Sequence, residues 1–173
     1  MKGDPEALSR EEPYQPDEVD LKIISLLQGD SRMSFNKIAG KLRISVGTVY
    51  NRVKSLESRG IIKGYTVMVD PAKLGQTLTA IIMIQAEGKH LVEVEDELAR
   101  MDEAICVYDI TGDFDIAVIA RFRDRFELNS FVKRILKMTY VRRTVTNVIL
   151  NVVKEDFRVK MPQLAITTQR LER

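Results

Sequence analysis

The sequence predicts an α+β chain in two parts, a winged-type helix-turn-helix domain followed by a ferredoxin-like βαββαβ domain. Three patterns predict it. Two short amphipathic helix-period segments abut between Ser34 and Gly60; four strand-period runs alternate with two helix-period runs between residues 77 and 153; and Pro71 and Gly75 punctuate the stretch that separates the two groups. At 173 residues and 45% hydrophobic composition the chain can bury a core in each part.

Residues 1–16 carry Gly3, Pro5, Pro13 and Pro16 with four acids against two bases, which predicts a mobile arm. Asp17 then reads as a helix cap, with acids in the first turn and apolar residues at Leu21, Ile23, Ile24, Leu26 and Leu27, and the helix stops at Gly29. Ser34 and Ser45 cap the next two helices, because a serine hydroxyl accepts from the free N–H groups of a first turn. Phe35, Ile38, Ala39 and Leu42 share one face of the first, Val46, Val49, Val53 and Leu56 one face of the second, and Ile44 plugs the three-residue turn. After Gly60 the alternation of Tyr65, Val67 and Val69 up to Pro71 predicts a short strand, and residues 70–76 a hinge.

The opposite face of the second helix carries Gly47, Thr48, Asn51, Lys54 and Ser55, bordered by Tyr50 and Arg52. Small polar groups, an amide able to pair with adenine and flanking cations suit a helix laid in a DNA major groove. A plain solvent-facing helix has a similar polar face, and charge separates the two readings. From Arg32 to Lys63 there are eight Lys or Arg against one acid, Glu57, in a chain whose net charge is only +2. Such a local excess is the footprint of phosphate binding. The expected DNA contacts are Ser34, Lys37, Arg43, Ser45, Gly47, Thr48, Tyr50, Asn51, Arg52 and Lys54, with Asn51 and Thr48 reading bases and Lys37, Arg43, Arg52 and Lys54 holding phosphates.

In the second part the strands are expected at Thr77–Ala86, Ala104–Ile110, Asp113–Phe122 and Val141–Val153, and the helices at His90–Met101 and Arg125–Lys137. Two helices cover one face of such a sheet. Yet Leu78, Ala80, Ile82 and Ile84 alternate with Ile81 and Met83, and Ile116, Val118 and Ala120 alternate with Ala117 and Ile119, so both faces are apolar. Leaving one wet would forfeit about 25 cal/mol per Å² of apolar surface, and a second copy of the chain is the simplest cover. A homodimer through the sheet is expected, which also pairs two recognition helices. Residues 86–140 hold twelve acids against eight bases, so only the first part is expected to touch DNA.

Thr111-Gly112-Asp113-Phe114-Asp115 joins the second and third strands. It reads as a tight turn with a positive-φ glycine, or as a clasp in which a carboxylate receives an ammonium beside backbone N–H groups that receive a carboxylate. No His or Cys accompanies the two acids, so no metal or other cofactor is expected. His90 reads as a surface residue before a helix, Cys106 as a small core residue, and Glu93, Glu95, Asp96 and Glu97 as a solvated helix face. No nucleophile-and-base arrangement is visible, a lone cysteine excludes an internal disulfide framework, and no apolar run reaches the length of a membrane span. A non-enzymatic, cytoplasmic protein is expected, without membrane contact.

Across residues 17–153 the chain resembles the leucine-responsive regulatory protein and AsnC (Lrp/AsnC, feast/famine) family of transcription regulators. The likeness rests on D-x-x-D-L-K-I-I-S-L-L-Q-G-D-S-R-M-S at 17–34, I-S-x-G-T-V-Y-N-R-V-K-S-L-E-S-R-G-I-I-K-G-Y at 44–65, D-P-x-x-L-G at 70–75 and T-G-D-F-D at 111–115. The resemblance implies a DNA-binding domain (17–64), a linker strand and hinge (65–76), a ferredoxin-like domain (77–156) that dimerises and assembles into tetramers or octamers, and an amino-acid effector held between dimers. The effector contacts it points to are Thr111, Gly112, Asp113 and Asp115, with Tyr108, Thr146 and Asn147 as neighbours. Residues 1–16 and 157–173 lie outside the family pattern. Two other classes fit the same residues, an architectural DNA-coating protein and a metabolic sensor whose helix-turn-helix binds protein.

Overall fold

The computed structural model describes residues 14–161. They form two compact units, one of residues 14–67 with 156–161, the other of Met68–Glu155.

In the first unit α1 is Glu18–Gly29, α2 Phe35–Leu42 and α3 Val46–Ser58. Each begins at the residue whose side chain caps it: Asp17, Ser34 and Ser45. Ile23 and Leu27 of α1, Ile38 and Ala39 of α2, and Val49 and Val53 of α3 make one small core, closed by Phe35, Leu42 and Ile44. Ala39 is buried where α2 meets α3, and Leu56 is fully buried on α3. Val46, expected in the buried stripe, is 43% exposed, because the first turn of α3 overshoots the three-helix core. The strand expected at Tyr65–Val69 does not form. Residues 63–70 are irregular and exposed; no second strand runs beside them among the described residues, and an alternating pattern without a ladder partner has no inter-strand hydrogen bonds to hold it. Of the expected arm, residues 1–13 lie outside the described residues, whereas Tyr14 is held: its hydroxyl donates to Asp20 at 2.5 Å and its ring lies 4.3 Å under the Arg59 guanidinium. The C-terminal stretch returns to this unit, where the Gln28 amide, turned to suit its partners, pairs with both the N–H and the carbonyl of Val159.

The second unit holds β1 Leu78–Ala86, α4 Leu91–Ala99, β2 Ala104–Asp109, β3 Ile116–Phe122, α5 Arg125–Ile135 and β4 Val141–Val148. The sheet runs β2-β3-β1-β4 with antiparallel neighbours, the expected ferredoxin-like order. Ala80, Ile82 and Ile84 of β1 and Ile116, Val118, Ala120 and Phe122 of β3 face the helices and meet Val94 and Leu98 of α4 and Phe131 and Ile135 of α5. Asp124 caps α5 by accepting from Phe126 and Glu127 N–H. On the other face Met83 lies between Ala117 and Val145, and Ile81 between Ile119 and Asn147, all outside the helix-side core. β4 stops at Val148, five residues short of the expected end.

Three residues depart from expectation. Cys106 pairs with Ile119 on the open face instead of joining the core. His90 stacks on Tyr140, centroids 3.7 Å apart and planes 5° apart, with Nδ1 3.0 Å from Glu93 Oε1. Glu95 is not solvated like its neighbours. Its Oε1 is shut off from solvent with no hydrogen-bond partner among the described residues, and burial, then the charges of Asp109 and Asp96, push its carboxyl up from the ordinary range.

Candidate nucleic-acid interface and ligand loop

The capping serines shape the reading end of the helix pair. Ser34 Oγ accepts from Lys37 N–H at 3.4 Å, and Ser45 Oγ accepts from Thr48 N–H at 3.0 Å while lying 2.8 Å from Thr48 Oγ1. Ser45 and Thr48 are therefore a coupled hydroxyl pair on the first turn of α3, where the helix N-terminus favours negative charge. Gly47 stands beside them and a Cβ there would meet only Ser45 Oγ, at 3.8 Å, so the turn is open to close approach. Arg43 ends α2 in the left-handed region, φ 55°. Lys37, Arg43, Gly47, Thr48, Asn51 and Lys54 are all exposed. Tyr50 packs edge-on against Phe35 at 6.2 Å and is about half exposed. Lys54 Nζ is 2.8 Å from Glu57 Oε2, which Tyr65 also approaches through Oε1; the Lys54 contact, then Tyr65, holds the Glu57 carboxyl below its usual range.

Arg52 is where the structure alters the expected division of labour. Its Nη1 donates to Asp17 Oδ2 at 2.5 Å and Asp20 Oδ1 at 2.9 Å. Asp20 is the one buried charged residue among those described, its side chain 1% exposed. It also accepts from Tyr14 Oη and from Asp17 N–H at 3.1 Å, while Asp17 Oδ1 accepts from Asp20 N–H at 2.9 Å, a reciprocal capping box on α1. The Asp20 N–H and then Arg52 hold the Asp17 carboxyl below its ordinary value, and Arg52 is raised in return. Arg52 thus fixes α3 against α1. With its Nη1 held by two carboxylates, Arg52 is engaged on α1 as well as lying beside the exposed polar face of α3.

The 111–115 loop closes the end of the sheet. Gly112 has φ 123° and supplies the turn that other residues adopt poorly. Asp115 faces inward: its Oδ2 accepts from Ala86 N–H at 2.9 Å, its N–H donates to Ile84 O at 3.0 Å and its carbonyl accepts from Ile110 N–H at 2.8 Å. Its Oδ2 thus lies at the irregularity where β1 changes register against β4, and holds the loop to the strand there. Thr111, Gly112 and Asp113 are exposed. The expected neighbours are not gathered around them. Tyr108 lies on β2 and Thr146 and Asn147 on β4, the two edges of the sheet, about three strand spacings or 14 Å apart. Thr146, opposite Ile82, is moreover on the helix side, whereas Tyr108 and Asn147 share the open side. The residue brought to the loop instead is Arg143, whose guanidinium carbon lies 5.5 Å from the Phe114 ring centroid. Arg143 has no carboxylate within ion-pair distance among the described residues. Nothing in the local sequence links positions 114 and 143; only the β1–β4 register does, by setting Arg143 opposite Gln85.

Among the described residues no three His, Cys, Asp or Glu gather as metal ligands, and no helix is long and apolar enough to cross a membrane. Residues 16–63 match the model of a winged helix-turn-helix DNA-binding domain, and residues 79–159 that of the Lrp/AsnC ligand binding domain. An uncharacterized HTH-type transcriptional regulator of Pyrococcus furiosus is 52% identical over 144 residues, spanning 83% of this chain and 97% of the relative. E. coli AsnC superposes with a TM-score of 0.78 at 25% identity, covering 86% of this chain and all of that one. A feast or famine regulatory protein from M. tuberculosis, solved in complex with L-methionine, superposes with a TM-score of 0.79 at 27% identity over the same shares.

Proposed function

Because the chain belongs to the Lrp/AsnC family of transcription regulators, we propose that it recognises particular DNA sites through α3 and answers to an amino acid at the 111–115 loop. The observation that carries the first half is the exposed row Gly47, Thr48, Asn51 and Lys54 on a helix pinned from behind by Arg52, in a strongly basic segment. Pinning matters because base readout requires donors and acceptors held in register with base edges. Thr48 and Asn51 read bases; Lys37, Arg43 and Lys54 hold phosphates, Lys54 exchanging Glu57 for a phosphate oxygen.

For the ligand, Arg143 supplies a cation for a carboxylate and Asp113 a carboxylate for an ammonium, the two charges of an α-amino acid. The methionine complex of the M. tuberculosis protein supports this class. The open sheet face is covered by a second copy of the chain, dimers assemble further, and the effector acts by binding one assembly state more tightly than another. A thermal-shift screen of the amino acids tests the effector. The expected result is a rise in midpoint with at least one of them, lost in Asp113→Ala and Arg143→Gln while DNA binding persists; no shift with any amino acid sinks the proposal.

A further inference from the structure

Charge in the second unit is sorted by position. Residues 87–115, spanning α4 and β2, carry ten acids and two bases, whereas residues 121–143, spanning α5 and the start of β4, carry eight bases and two acids. β2 and β4 are opposite edges of the sheet, and α4 and α5 cover the same face of it. One outer surface therefore has an acidic half and a basic half.

The outermost row of each helix follows one plan. On α4 the positions opposite buried Val94 and Leu98 are Val92, Asp96 and Ala99; on α5 those opposite buried Phe131 and Ile135 are Phe126, Asn129 and Lys133, continued by Lys137 in the turn that follows. Val92 is 68% and Phe126 85% exposed. Each row thus opens with an apolar side chain in water and goes on in charge of one sign, negative on α4 and positive on α5. Asp96, Glu97, Lys133 and Lys137 have no ion-pair partner among the described residues, whereas Arg134 is paired with Glu103 and Arg142 with Glu87.

A DNA backbone would satisfy the lysines but offers nothing to an exposed phenylalanine. A protein surface with acids beside an apolar side chain satisfies both, and this unit carries such a surface next door. We infer that the helix-covered face docks on the same face of a second copy, about a two-fold axis that lays α4 of each on α5 of the other. The contact is isologous, so complementarity acts twice: Asp96 and Glu97 face Lys133 and Lys137, and Val92 and Phe126 leave water together. The inference rests on the reading that the open sheet face is already taken by a dimer; the helix face then helps to join dimers.

Sedimentation velocity on the full-length chain tests it through charge reversal. Lys133→Glu/Lys137→Glu and Asp96→Lys/Glu97→Lys should each weaken association between dimers about tenfold or more, because like charges then meet across the interface, and each should sediment as a dimer. Mixed in equal amounts, the two variants should assemble again, and the combined four-residue variant should assemble alone. Recovery on mixing also proves that the variants are folded. Unchanged assembly in either variant, or two dimeric variants that do not recover on mixing, overturns the inference; so does a lysine variant that assembles normally but loses salt-dependent DNA affinity, since the lysines would then hold phosphates. A monomeric unmodified protein refutes the sheet dimer itself, whereas an unmodified protein that stops at the dimer at every concentration refutes only the helix-face contact.

Discussion

Arg52→Ala separates positioning from phosphate binding on the recognition helix. The substitution removes the donor to Asp20 Oδ1 and the nearest countercharge of a carboxylate that is 1% exposed. Removing one partner of a buried pair costs about 3–5 kcal/mol. Two features temper this: Asp20 keeps its bonds from Tyr14 Oη and Asp17 N–H, and the Arg52 side chain is 32% exposed, so water can enter the space it leaves. The expected loss lies at the low end, about 3 kcal/mol, or roughly 12–24 °C in the midpoint of a unit this small. Thermal unfolding followed by far-ultraviolet circular dichroism reads the loss, and DNA binding across salt concentrations, below the new midpoint, reads the role. With Arg52 engaged on α1, the slope of log K against log salt should be unchanged although affinity falls. A slope shallower by about 0.9, one phosphate, with stability intact would refute the reasoning and return Arg52 to the DNA.

On the reading face, Asn51→Ala should cost about 1–3 kcal/mol on the preferred duplex and nearly nothing on a scrambled one, measured by fluorescence anisotropy; Lys37→Ala should weaken both alike and flatten the salt slope by about 0.9. Met83→Asp, which places a carboxylate between Ala117 and Val145 on the open sheet face, should give a monomer or an unfolded chain in sedimentation, because the covering copy would bury that charge unpaired. Glu95 has its carboxyl raised above the ordinary 4.5 by burial and then by Asp109 and Asp96. An acid raised on folding contributes stability that is whole below 4.5 and lost as pH rises through its folded value. Glu95→Gln, which keeps the shape without the charge, should therefore raise the melting temperature at neutral pH and leave it unchanged near pH about 4; equal effects at both would show that the gain has nothing to do with ionisation.

What was legible in the sequence is what local rules encode. Ser34 and Ser45 announced their helices, the period-2 runs placed β1 and β3 to within a few residues, and the double alternation at Leu78–Ile84 showed both sheet faces apolar. What escaped depends on partners far away in the chain. Arg52 looks like one more cation beside a reading face until the fold sets it against Asp17 and Asp20, more than thirty residues earlier. Asp115 and Asp113 are indistinguishable as letters, yet the register of β1 against β4 turns one carboxylate inward to Ala86 N–H and leaves the other in water. Residues 65–69 have the alternation of a strand, but alternation states only what a pleat could bury and not whether a neighbour is there to receive it. The charge sum over residues 86–140 hid its own structure, because the acids gather in residues 87–115 and the bases in residues 121–143, and the sum only partly offsets one against the other.

The most direct measurement is the affinity of the full-length chain for a duplex selected from random sequence and for a scrambled duplex of equal length, each across about 0.05–0.2 M salt. If α3 reads bases on a helix pinned to α1 while surrounding cations hold phosphates, both affinities fall steeply with salt along parallel lines, and the selected duplex binds about 10³-fold tighter or more throughout. Lines that coincide would mean the chain coats DNA without reading it. Lines without slope would contradict phosphate binding, and with it the assignment of α3 as the recognition helix.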